Sequence, residues 1–74
     1  MSGPLPSLTP DQVLSTLRRR GFVVHRQSGS HIVLKHPDGR WTTVPMHRGE
    51  ALSKGTLRAI LRETELTIEE LLAR

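Results

Sequence analysis

Residues 22–46 read FVVHRQSGSHIVLKHPDGRWTTVPM, and this stretch decides the fold. It is made of short runs rich in valine, isoleucine, threonine and aromatics, separated by clusters of turn-forming residues. The spacing predicts strands over 22–26, from 30 or 31 to 36, and over 41–46. Between the second and third lies His36-Pro37-Asp38-Gly39. Proline at the second position and glycine at the fourth fit a type I turn closed by a glycine bulge, a three-residue loop over 37–39. That loop pairs His36 with Arg40, Leu34 with Thr42 and Ile32 with Val44. The same reasoning applied to Gln27-Ser28-Gly29 pairs Arg26 with Ser30, His25 with His31 and Val24 with Ile32. Side chains alternate along a strand. Phe22, Val24, Ile32, Leu34, Val44 and Met46 then share the core face. His25, His31, Val33, Lys35, Trp41 and Thr43 share the opposite one.

Working outward, Thr9-Pro10-Asp11-Gln12 begins a helix over 10–20. Thr9 suits the N-cap, Pro10 the first helical position, and Gln12 completes a capping box. Leu8 staples against Val13, while Val13, Leu14 and Leu17 form the apolar side. Gly21 stops the helix. Past the third strand, Ser53 caps a second helix over 54–63 with Leu57, Ile60 and Leu61 apolar. Leu66-Thr67-Ile68-Glu69-Glu70-Leu71 repeats the staple and box and starts a short last helix with Leu71 and Leu72 apolar. The order is α-β-β-β-α with a helical tail. This predicts an α+β sandwich with helices on one face of a three-stranded antiparallel sheet.

The 74 residues suit one domain, 1–74, with 1–7 as a loose leader. With no cysteine there is neither a disulfide framework nor a thiolate zinc site. No apolar run is long enough to span a bilayer, and the leader lacks the pattern of a secretory signal. The cytoplasm is the expected location. The net charge of +4 is unevenly spread, for residues 18–62 alone carry +8 and the remainder is acidic. A concentrated basic field favours a polyanion such as nucleic acid, or an acidic protein.

The chemistry-bearing candidate is Gln27-Ser28-Gly29-Ser30-His31. A small-residue turn lets a phosphate chain approach, and it delivers a histidine able to exchange protons near neutral pH. The same residues also fit a plain hairpin with a solvated histidine. His25, His31, His36 and His47 lack metal-ligand spacing, so no metal or other cofactor is expected. No nucleophile elbow and no Walker-type loop is present. RNA cleavage fits the residues better, because RNA brings its own 2′-hydroxyl nucleophile. The protein then needs a base, cations for the phosphorane and a donor for the leaving oxygen. His25 and His47 are the candidates for a second acid–base group, a hydrogen bond that fixes its loop being the other reading of His47. His36 reads as a structural turn residue. Candidate RNA contacts are Ser28, Gly29, Ser30, Lys35, Lys54 and Arg58, the last two on a basic ridge continued by Arg62. Trp41 suits base stacking or protein contact.

Gly21-Phe22, Gln27-Ser28-Gly29-Ser30-His31, His36-Pro37-Asp38-Gly39-Arg40, Val44-Pro45-Met46-His47 and the run from Gly55 to Arg62 occur in an order and spacing that resemble the HicA family. These are the mRNA interferase toxins of HicAB toxin–antitoxin systems. The resemblance covers residues 13–72, including the Leu66-Thr67 tail. It implies a fold like a double-stranded RNA-binding domain and metal-independent endoribonuclease activity on mRNA. It implies His31 as the catalytic histidine, and a HicB-type antitoxin that covers the active face and helps repress the operon. DNA would be met only through that complex. His25 stands outside the family pattern. The alternative function is a non-catalytic RNA-binding module.

Overall fold

Thr9 caps the first helix, α1 (Pro10–Arg19). Its hydroxyl accepts the Gln12 amide at 3.3 Å, and the Gln12 carboxamide oxygen accepts the Thr9 amide at 2.8 Å. This is the reciprocal box that the sequence predicts. The computed structural model describes residues 5–47 and 49–73. The first four residues of the expected leader, and Arg48 and Arg74 of the charge count, lie outside them. Leu5, placed in that loose leader by the sequence reading, instead packs partly buried against the core.

At the other end of α1, Arg20 is the C-cap and Gly21 follows with φ 95°. The Phe22 amide donates to the Leu17 carbonyl at 3.0 Å and the Gly21 amide to Arg18 at 3.1 Å. This paired closure needs a residue that tolerates positive φ. It swings Phe22 under the sheet, where it is buried.

The strands are β1 (Val23–Ser28), β2 (His31–Lys35) and β3 (Trp41–Pro45), followed by α2 (Lys54–Thr64) and α3 (Ile68–Leu72). They form one antiparallel sheet in the order β1-β2-β3. The α-β-β-β-α order and the sheet are those expected, and they match the fold of a double-stranded RNA-binding domain. The helices pack over β3, leaving β1 at the far edge. Leu8, Val13 and Leu17 meet Ile32, Leu34 and Val44 from the sheet and Leu57, Ile60 and Leu71 from the later helices. Each such burial contributes roughly 1.5–3 kcal/mol. Thr42 faces the same core, and its hydroxyl donates to a Glu63 carboxylate oxygen at 2.7 Å. Of the two leucines expected to seat α3, Leu71 is buried and Leu72 is exposed.

The β2–β3 hairpin has the predicted register, with Leu34 opposite Thr42 and Ile32 opposite Val44. His36 and Arg40 close the loop through a 2.8 Å backbone bond, and Gly39 has φ 100°. His36 is structural, as expected. Its ring meets Phe22 edge-on at 5.1 Å, and its Nδ1 accepts the Asp38 amide at 3.1 Å. Arg40 lies over the same Phe22 ring at 5.2 Å and donates to the Thr64 carbonyl. The turn is thereby tied to the end of α2.

The first hairpin is corrected by the structure. Ser28 pairs with His31, Gln27 with Ile32 and Arg26 with Val33; Val24 then pairs with Leu34. The loop is the two residues Gly29 and Ser30, not the three of 27–29. Gly29 has φ 57°, suiting a turn in which glycine leads. His25 is the extra residue of a β-bulge between Val24 and Arg26, so it does not face His31. The bulge also turns Arg26 onto the face of Val33, away from the helices. Val24 does lie on the core side, opposite Leu34, but it is 42% exposed because the helices pack over β3, at the opposite edge of the sheet.

Asp38 carries a pH expectation. The Arg40 backbone amide, then its side chain, holds the Asp38 carboxyl below its usual value. A depressed folded-state pKa contributes stability above the unfolded pKa, and that contribution is lost as pH falls through the folded value. Melting temperature should therefore drop below about pH 4, and drop less in Asp38→Asn. Thermal denaturation across that range checks it, and identical acid profiles for both proteins would refute it.

Candidate functional site

His31 opens β2 directly after the Gly29-Ser30 turn. Its neighbours Ile32 and Leu34 are buried while His31 and Lys35 are exposed. Alternation therefore puts His31 on the face away from the helices, as the sequence predicts. Its cross-strand partners are Ser28 and Pro45.

A cleft of about 370 Å³ adjoins this histidine, lined by His31, Pro45, His47, Glu50, Ser53 and Thr56 among others. Two non-local backbone bonds assemble it. The Met46 amide donates to the Ser30 carbonyl, drawing the segment after β3 against the turn before β2. The Leu52 amide donates to the Leu8 carbonyl at 2.7 Å, anchoring the returning loop beside α1. His47 closes its loop with its backbone carbonyl, which accepts the Glu50 amide at 3.3 Å. That hydrogen bond is made by the backbone and does not engage the His47 side chain.

One wall of the cleft is the start of α2. The Ser53 hydroxyl accepts the Thr56 amide at 3.1 Å and donates to the Thr56 hydroxyl at 2.9 Å. The positive end of a helix favours an anion. Histidines beside such an end suit proton transfer next to a phosphate.

The other sequence candidates scatter around this centre. Ser28 faces His31 across the ladder, and Gly29 and Ser30 form the loop tip, Ser30 half-buried and Gly29 exposed with open space around it. Lys35 is exposed at the far end of β2, about 13 Å along the strand from His31. Lys54 opens α2 and Arg58 follows one turn later, both exposed. His25, in the bulge, is not brought to the cleft. Sequence reading missed Glu50, Ser53 and Thr56 as cleft residues. The one available signal was the cap role of Ser53, which marks where a helix begins but not what it faces. Among the described residues no group of three or more His, Asp or Glu gathers as for a metal ion. No helix there is long and apolar enough to cross a membrane.

A family model described as the HicA toxin of bacterial toxin–antitoxin matches residues 10–66. The chain belongs to the HicA toxin family. The match runs from the start of α1 past the end of α2 and takes in the turn, His31 and the whole cleft wall. HicA membership carries the role of toxin, with a cognate antitoxin as partner. No curated protein matches the chain.

Proposed function

We propose that this HicA toxin is a metal-independent endoribonuclease acting on mRNA, with His31 as its catalytic residue and a HicB-type antitoxin as its inhibitor. The observation that carries the reading is the shared cleft of His31 and His47 at the start of α2. In the proposed reaction one imidazole takes the proton of the 2′-hydroxyl. The 2′-oxygen bonds to phosphorus, and the bond from phosphorus to the 5′-oxygen breaks. The leaving oxygen takes a proton from the second imidazole. The products are a 2′,3′-cyclic phosphate and a 5′-hydroxyl end. The start of α2, with Lys54 and Arg58 beyond it, offsets the charge that develops on the phosphorane. Of the two candidate partners for His31, the cleft favours His47 over His25.

The test is cleavage of single-stranded RNA in EDTA. Wild type should cleave. His47→Ala should lose about 10²-fold, with one limb of the pH–rate profile missing. A His47→Ala enzyme with an unchanged profile would remove His47 from the mechanism. Binding of RNA without cleavage by wild type would favour the non-catalytic RNA-binding module.

A further inference from the structure

The register of the first hairpin gives the open side of the sheet a composition that the sequence pattern alone does not. Residues directly opposite one another share a face. Ser28, His31 and Pro45 therefore form one row, Arg26, Val33 and Thr43 the next, and Val23, Lys35 and Trp41 the third, with Gln27 and Val24 turned to the other side. Among the described residues paired in its three rows, this face holds Arg26, Lys35 and His31 and no acidic residue. Trp41 is 55% exposed on it, and Val23, across Lys35 in the same row, 64%. The face is continuous with the cleft, since His31 and Pro45 belong to both. Past Trp41 the charge reverses, for Trp41 shares a hollow with Glu63, Glu65 and an Asp38 that Arg40, also in the hollow, pairs at 2.8 Å.

We infer that this face is the track for single-stranded RNA, with Trp41 stacking one unpaired base, Arg26 and Lys35 holding the intervening phosphates, and the cleaved linkage seated at His31. The inference rests on the endoribonuclease reading and names the surface that would carry its substrate. From His31 to the Trp41 row is about 13 Å, the length of four strand residues. That is room for about two successive bases, as on sheets that read single-stranded RNA. Duplex RNA does not suit the face, because paired bases offer no free ring to Trp41. The carboxylates of Glu63 and Glu65 in that hollow end the track by repelling the next phosphate.

Trp41 is the only tryptophan of the chain, so its fluorescence reports on the site directly. In the His31→Ala protein, an unpaired oligoribonucleotide should quench that fluorescence, and the same strand annealed into a duplex should not. With His31 intact, Trp41→Ala should raise KM about tenfold at unchanged kcat, and Trp41→Phe should recover most of it. Arg26→Gln and Lys35→Gln should each flatten the salt dependence of binding by about one phosphate contact. Active wild type with unchanged KM in Trp41→Ala and no quenching would overturn the track while leaving the nuclease reading standing. A Trp41→Ala defect confined to antitoxin binding would also overturn it and assign the face to the protein partner. An inactive wild type would instead sink the nuclease reading, and the quenching experiment would still decide whether RNA seats on Trp41.

Discussion

Replacing His31 with alanine should abolish RNA cleavage and leave the fold intact. His31 is exposed and points away from the core that Ile32 and Leu34 enter from the same strand. Surface substitutions of this kind usually stay within about 0.5 kcal/mol of wild-type stability. Loss of a positioned acid–base group costs about 10²–10⁴-fold in rate. In the proposed reaction His47, the other imidazole of the cleft, already serves the second proton transfer, so the upper end is expected. Wild type and His31→Ala are compared for cleavage in EDTA, for melting temperature, and for growth arrest when expressed without antitoxin. Undiminished cleavage by a folded His31→Ala protein would remove the proposed mechanism.

The largest expected effect on stability comes from Gly21→Ala. Gly21 sits at φ 95°, where an added Cβ would lie 2.9 Å from His36 Nε2. The conformational penalty alone is about 1–2 kcal/mol. The ring has little room to retreat, because it is braced by Phe22 at 5.1 Å and by the Asp38 amide at 3.1 Å. A total of about 2–3 kcal/mol is expected, a large share of the roughly 5 kcal/mol typical of a small domain. The melting temperature should fall by about 10 °C or more. Gly29→Ala isolates the backbone contribution, since Gly29 has positive φ with nothing within 4 Å of an added Cβ. A double-mutant cycle with His36→Ala should show coupling of at least about 0.5 kcal/mol. Equal losses at Gly21 and Gly29 would remove the steric part of the argument.

The two hairpins show why one part of the sheet was legible and another was not. In 36–40, proline and glycine occupy the positions that a single turn type requires, and Ile32, Leu34 and Val44 alternate cleanly into a covered face. A slip of one residue would expose all three, so the register has one low-energy solution. In 27–31, Gly29 serves a two-residue loop as well as a three-residue one. β1 lies at the uncovered edge, where Val23 and Val24 stay largely exposed. Moving the bulge or the loop there costs little burial, so the hydrophobic pattern does not select among the options. For this reason the pattern sets His25 opposite His31, where the structure has a bulge, and does not place Arg26 on the open face.

By itself the sequence determined what short-range chemistry controls. The helix starts at Thr9, Ser53 and Thr67 follow from side-chain caps acting within three residues. The α-β-β-β-α order follows from periodicity, and the face of His31 follows from strict alternation next to a covered core. The ordered motifs around these residues also pointed to the HicA family. The tertiary structure alone decided the bulge at His25, the turn of Arg26 onto the open face, and the cleft that His31 shares with His47, Glu50, Ser53 and Thr56. That cleft depends on Met46 reaching Ser30 and Leu52 reaching Leu8, bonds between segments far apart in the chain. Such bonds form only once the core has brought the segments together, and no local pattern of residue types records them.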